Sequence, residues 1–314
     1  MEIPNFIKRC FVKVTGFKPP VFKGEEKQKI INKMIKDNRN LNHDIKNSSY
    51  SEGLLIEEIK LNNCLSFLIK KNNNPTEKII YYIHGGGFTG ACTRDRMEFV
   101  SSLVKEFGYN VYSIDYRLAP EFKHPSQIND CLDGYKWLLE RYKRENIVFI
   151  GESAGANLVV VLSILLRDKN YPLPSGVYAN SIVSQFDGYT SSYERCSLKT
   201  DFIVVKGILE NLEGIYFTKD DKQDPYIAPL HANLNNLPPI WLTVSKSECL
   251  LDDSRMLYQK LIGQGNDAVL KEYDNLCHAF IISPHMRNVV KKTYGDLKNF
   301  LSIYLDKEES IDER

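Results

Sequence analysis

The sequence predicts an α/β fold in which a mostly parallel sheet is covered by helices on both faces. Three observations carry that expectation. From Lys78 onward, short β-branched or aromatic runs alternate with longer helical patterns, the alternation that builds a parallel sheet through helical crossovers. The chain has 314 residues, which suits one large domain of this class with an added cap. The apolar run Ile147-Val148-Phe149-Ile150 stops at Gly151-Glu152-Ser153-Ala154-Gly155 and resumes with helical periodicity, so a strand feeds a helix through a tight turn.

Taken in order, Phe6, Ile7, Cys10, Phe11 and Val14 share one helical face. A second helix is expected from about Gly24 to Asp37, with Ile30, Ile31, Met34 and Ile35 as its apolar stripe. Residues 1–50 therefore read as cap helices closed by an Asn-rich loop, and residues 51–314 as the α/β domain, with a cap or lid insertion at about 186–224. Strands are expected at about 54–60 and 62–70, with Asn72-Asn73-Asn74-Pro75 marking the next turn. Further strands fall near 78–83, 109–115, 146–150, 179–184, 239–245 and 268–273. Helical patterns lie near 94–107, 125–144, 154–168, 252–263 and 286–304.

Composition narrows the function classes. Lys and Arg total 41 against 40 for Asp and Glu, a balance that gives no reason to expect nucleic acid as a partner. The longest apolar run, Leu158 to Leu166, is too short to cross a bilayer, so no stable membrane insertion is expected. Residues 1–20 scatter Lys8, Arg9 and Lys13 among apolar residues, unlike a signal peptide. The 7 cysteines are spread without a Cys-x-x-Cys pair, which suggests neither a disulfide framework nor a metal site and fits a reducing, cytoplasmic home. Oligomeric state stays open, a homodimer included.

In such sheets ligands bind beyond the carboxyl ends of the strands, so chemistry is sought there. Small residues on both sides of Ser153 let the backbone turn sharply and expose its hydroxyl at the N-terminus of the following helix. After the strand ending at Ile83 comes His84-Gly85-Gly86-Gly87-Phe88, whose unshielded N–H groups can converge on a developing negative charge. A third donor would be the N–H of Ala154. A serine needs a base, and the base needs an acid to fix its tautomer. Of His231, His278 and His285, only His278 follows a strand end after the last group of acids. Three carboxylates, Glu248, Asp252 and Asp253, follow the strand ending near Ser245. Asp252 and Asp253 suit the start of the next helix, so Glu248 is favoured as the acid, with Asp252 the alternative.

These segments resemble the hormone-sensitive-lipase-like branch of the α/β-hydrolases, the bacterial acetyl-esterase and arylacetamide-deacetylase group. The likeness rests on His84-Gly85-Gly86-Gly87-Phe88, Asp115-Tyr116-Arg117-Leu118-Ala119-Pro120-Glu121, Gly151-Glu152-Ser153-Ala154-Gly155, Asp224-Pro225-Tyr226-Ile227-Ala228-Pro229-Leu230 and His278-Ala279-Phe280. It implies an α/β-hydrolase fold with Ser153 as nucleophile, His278 as base, and Gly86, Gly87 and Ala154 as oxyanion donors, His84 and Gly85 supporting the loop. Where the family usually carries Asp in Asp-Pro-Leu-x-Asp, this chain has Glu248-Cys249-Leu250-Leu251-Asp252. The implied activity is a serine carboxylesterase acting on small, short-acyl esters through an acyl-enzyme, without metal or organic cofactor. An amide hydrolase using the same triad is the alternative, and a non-catalytic small-molecule binder the third reading. Asp187, Tyr189, Tyr193 and Phe202 are the residues of the insertion that could line the acyl pocket.

Overall fold

A computed structural model describes residues 23–39, 51–72, 76–188, 190–196, 201, 204, 208–282 and 287–306. The expected first helix around Phe6–Val14, most of the Asn-rich loop, Tyr189, Phe202 and His285 lie outside the described residues. The described chain runs α1 (Gly24–Arg39), β1 (Leu54–Lys60), β2 (Leu65–Lys71), β3 (Ile79–Ile83), α2 (Arg94–Phe107), β4 (Asn110–Asp115) and α3 (Ser126–Leu139). It continues with β5 (Ile147–Glu152), α4 (Ala154–Asp168), β6 (Gly176–Asn180), α5 (Ser191–Arg195), α6 (Ile208–Leu212), β7 (Ile240–Ser245), α7 (Leu251–Gly263), β8 (Ala268–Tyr273) and α8 (Arg287–Leu305).

The strands form one eight-stranded sheet in the order β1-β2-β4-β3-β5-β6-β7-β8. Only β1 with β2 and β2 with β4 are antiparallel; every other pair is parallel. Period-two burial explains why the sheet is covered twice. Ile79, Tyr81 and Ile83 of β3 join a core shared with α3, α4 and α7, whereas Ile80 and Tyr82 join a core shared with α2 and α8. In β5, Ile147 and Phe149 face the first core while Val148 and Ile150 face the second. Helix α4 is buried from Ala154 to Leu166, as its apolar sequence requires. Helix α1 adds Ile31 and Met34 to the first core, and its Lys27 ammonium donates to the carbonyl of Glu213.

The chain leaves β3 toward β4 on one side and returns as β5 on the other. That reversal makes a topological switch point, where a crevice opens beyond the strand ends. Ile83 pairs with Gly151, so the loop after β3 and the turn after β5 emerge side by side.

Two expectations are corrected. The strand expected at 179–184 lies at Gly176–Asn180, because Ser181 takes a positive φ of 55° and ends it. The apolar Ile182 and Val183, which made the run look longer, are buried in the connection that follows. Cysteine spacing suggests no disulfide, yet Cys196 and Cys249 form one, with Cα atoms 5.2 Å apart. They are 53 residues apart in sequence, so only the fold brings them together. Among the described residues no helix is long and apolar enough to cross a membrane.

The disulfide ties the segment after α5 to the turn before α7. Non-reducing peptide mapping should recover the Cys196–Cys249 linkage. Cys196→Ser should lower stability by about 2–4 kcal/mol relative to the oxidised parent, read by denaturant unfolding.

Candidate active site

Ser153 sits between β5 and α4 with φ 56° and ψ −120°, a strained conformation for a non-glycine residue. The strain is sustained because the turn is overdetermined. The Ser153 N–H donates to Asn180 O at 2.9 Å, and Asn157 N–H donates back to Ser153 O at 3.2 Å. Gly155 lies against the end of β3, where a Cβ would collide with the Ile83 and His84 carbonyl groups. Only glycine permits that approach, and it brings the first turn of α4 against the glycine loop.

The Ser153 hydroxyl lies 2.8 Å from His278 Nε2, and His278 Nδ1 lies 2.7 Å from Glu248 Oε2. A carboxylate facing Nδ1 assigns the ring proton to that nitrogen, leaving Nε2 to accept from Ser153. Glu248 Oε1 accepts the Ser245 N–H at 2.8 Å and the Ser181 hydroxyl at 2.9 Å. Ser181 Oγ in turn accepts the Ala279 N–H at 3.1 Å, so one serine joins the acid to the histidine loop. Both groups are buried, His278 at 3% and Glu248 at 2% exposure. Burial raises the Glu248 carboxyl above the ordinary glutamate range, a shift that the His278 hydrogen bond opposes. Burial alone would lower the His278 imidazole. The hydrogen bond and charge of Glu248, with the charges of Asp201 and Glu152 behind it, more than reverse this, and His278 titrates above ordinary histidine.

The glycine loop is held from several sides. Gly86 and Gly87 have φ of 105° and 61°, and Thr89 and Gly90 N–H groups close a turn onto Gly86 O. The Gly86 and Gly87 N–H groups take no partner among the described residues. Tyr116 donates its hydroxyl to His84 O at 2.8 Å and stacks on the His84 ring at 4.2 Å. The Ala119 N–H reaches Phe88 O at 2.9 Å. His84 is fully buried with Nδ1 at 2.8 Å from Gly85 O. Asp115-Tyr116-Arg117-Leu118-Ala119-Pro120-Glu121 thus acts as a brace, itself pinned by the ion pair of Arg117 with Asp130 at 2.7 Å.

Sequence reasoning missed Glu152. Its Oε1 accepts the Gly85 N–H at 2.6 Å, Arg96 Nε at 2.7 Å and the Tyr82 hydroxyl at 3.2 Å. The residue before the elbow serine therefore fixes the start of the glycine loop. The available signal was an acid inside an otherwise apolar strand–turn, since a fully buried carboxylate implies partners. Ser181 gave no such signal.

The three carboxylates after β7 take three different places. Glu248 meets His278. Asp252 accepts the Ser191 hydroxyl at 2.8 Å and the Ser192 N–H at 2.7 Å, and does not contact the histidine. Asp253 is fully buried and accepts the Ser184 N–H at 3.0 Å. His231 pairs with Asp187 at 3.1 Å. Tyr193 is buried at 1% exposure within the first core.

A family model described as the alpha/beta hydrolase fold matches residues 80–282. The chain is an α/β-hydrolase. This α/β-hydrolase is 32% identical over 234 residues to an esterase of Acinetobacter venetianus, an alignment covering 74% of this chain and 77% of that one. It is 26% identical to an acetyl esterase of Salmonella schwarzengrund, with 72% of each chain covered. Among solved structures, an esterase from the bacterial hormone-sensitive lipase family superposes with a TM-score of 0.74 at 26% identity, covering 90% of this chain and 99% of that one. The resemblance expected from the motifs therefore holds.

Asp253 yields a pH prediction. Burial pushes its carboxyl up to about 7, so the folded chain holds this proton more tightly than the unfolded chain does. Stability should fall as pH rises from about 4 toward 7, and Asp253→Asn should abolish that contribution. The difference in Tm between the variant and its parent should shift in the variant's favour by about 3–6 °C between pH 5 and pH 8. A constant offset from the amide's packing cancels in that comparison.

Proposed function

We propose that this α/β-hydrolase is a serine carboxylesterase acting on small, short-acyl esters. The observation that carries the reading is the continuous hydrogen-bonded series Ser153 Oγ, His278 Nε2, His278 Nδ1 and Glu248 Oε2, with contacts of 2.8 and 2.7 Å. Ser153 Oγ attacks the ester carbonyl carbon as His278 Nε2 takes its proton. The carbonyl oxygen becomes an oxyanion, which the N–H groups of Gly86, Gly87 and Ala154 stabilise from fixed positions. Glu248 holds the imidazole and favours the imidazolium. The imidazolium then protonates the leaving alcohol, giving an acyl-enzyme. Water repeats the sequence in reverse and frees the acid, with no metal or organic cofactor taking part.

Support for the substrate class comes from the relatives, whose names include acetyl esterase, and from a formal net charge of only +1, which offers little attraction for polyanions. The same site chemistry would cleave an activated amide, so an aryl-amide panel run beside the ester panel separates the two activities.

Ser153→Ala should reduce kcat for p-nitrophenyl acetate by at least about 10⁴-fold with the fold intact. Retention of more than a trace of activity would sink the nucleophile assignment. Glu248→Gln should cost about 10³–10⁴-fold in kcat, because the imidazole loses the partner that fixes its tautomer. Asp252→Asn should stay within about threefold in kcat and lose about 1 kcal/mol of stability, since that carboxylate caps α5 rather than the histidine. The reverse ranking in kinetics would assign the acid to Asp252.

A further inference from the structure

We propose that Tyr216, in the turn after α6, is a positioning residue of the reaction that holds the far end of the glycine loop and so aims the Gly87 N–H at the oxyanion. This deepens the esterase reading above and rests on it. Three consecutive glycines carry no side chains that could restrain the directions of their own N–H groups. Restraint must therefore come from the two ends of the loop. Glu152 holds the first end through the Gly85 N–H. At the second end Phe88 is the first residue with a side chain, and its ring lies almost parallel to that of Tyr216, at an interplanar angle of 4° and a centroid separation of 3.8 Å. Both rings are fully buried. The Ala119 N–H fixes the Phe88 carbonyl at 2.9 Å, and Tyr216 fixes the ring.

Tyr216 is itself held through its backbone. Its N–H donates to Leu212 O at 2.8 Å, and its carbonyl accepts the His124 N–H at 2.9 Å. The turn closes with the Gly214 N–H on Phe217 O at 2.6 Å, and Lys27 of α1 clamps its outer side by donating to the Glu213 carbonyl. The Tyr216 hydroxyl is buried and has no partner among the described residues, so the ring is what this side chain contributes. Packing accounts for two buried rings, but not for the backbone beneath one of them. Phe88 has a φ of 62°, in the left-handed region that bulky residues avoid. Such a residue persists only where its surroundings overdetermine it, and strained residues of this kind gather at working sites. Once the ring is released, the strain relaxes through the adjacent glycines, which resist least. The Gly86 and Gly87 N–H groups then turn away from the place where the oxyanion forms.

The test compares the full chain with Tyr216→Leu and Tyr216→Phe in two assays. One is p-nitrophenyl acetate hydrolysis; the other is inhibition by an alkyl trifluoromethyl ketone, whose adduct with Ser153 places an anionic oxygen where the oxyanion forms. Tyr216→Leu should lower kcat by about 10–100-fold and weaken the ketone by a similar factor, up to the loss that follows removal of a whole donor. KM should change less than about twofold, because the oxyanion forms in both acylation and deacylation and the two steps slow together. Tyr216→Phe keeps the stack and should restore kcat to within about threefold of the parent. A folded Tyr216→Leu with a lower Tm but parental kcat or parental ketone affinity has lost packing alone, and that result overturns the proposal. So does a Tyr216→Phe that falls as far as the leucine variant, since the hydroxyl would then carry the role. If Tyr216→Leu does not fold, Lys27→Met decides, because that half-buried side chain clamps the same turn from outside. A joint loss of kcat and ketone affinity by about threefold at constant KM supports the proposal, and unchanged values overturn it. Failure of the esterase reading itself would look different, since hydrolysis would then survive Ser153→Ala and the ketone would not inhibit the parent.

Discussion

The site depends on one close approach, that of Gly155 in the first turn of α4 to the Ile83 and His84 carbonyl groups at the end of β3. Two backbones can come this near only where no Cβ intervenes. The contact sets the height of Ser153 above the sheet and places the glycine loop next to it. Because β3 and β5 are adjacent parallel strands with Ile83 opposite Gly151, both connections leave the same edge together. Glu152 then fastens them, taking the Gly85 N–H with the same oxygen that Arg96 neutralises. An ion pair this deeply buried is a poor source of stability in itself. Its value lies in fixing the register of a loop that has three glycines in a row and would otherwise sample many conformations.

A second group of constraints operates on the opposite side of Ser153. The loop after β7 carries Glu248, the loop after β8 carries His278, and Ser181 after β6 hydrogen-bonds to both loops. Three neighbouring strands thus contribute one polar group each to a network with few free acceptors. Such networks hold geometry well when every member is satisfied. The segment between β6 and β7 completes this one from outside the sheet, through the Asp201 contact to Cys249 and the α5 contact to Asp252.

Much of this was legible from the sequence, and the remainder divides along a physical line. The alternation of strand and helix, the elbow around Ser153, the glycine loop and the position of His278 are local patterns, each contained in a short window. The preference for Glu248 over Asp252 as the neighbour of His278 also came from a local argument, since an acid at the start of a helix has another use. What stayed hidden was pairing across long separations. Glu152 meets Gly85 across 67 residues and Ser181 meets Glu248 across 67, and nothing in either window announces its partner. The Cys196–Cys249 bridge is hidden for the same reason. The end of β6 was misread because Ile182 and Val183 continue the apolar pattern while the positive φ of Ser181 has already turned the chain.

The length of the acid side chain follows from where its loop lies. Glu248 closes a tight turn, donating its own N–H to Ser245 O at 3.1 Å and accepting the Ser245 N–H on Oε1 at 2.8 Å. Its carboxylate thus folds back over its own turn and still reaches His278 with Oε2 at 2.7 Å. Aspartate at the same backbone position would retract the carboxylate by about one bond length. It could then keep the turn contact or the histidine contact, but both would require the loop to move. The loop is not free to move, because the Cys249 N–H is held by Asp201 and the Cys249 sulfur by Cys196. A loop pinned at this distance from the imidazole therefore selects glutamate. The departure from Asp in this stretch and the hold of Asp201 and Cys196 on Cys249 belong to one geometric solution.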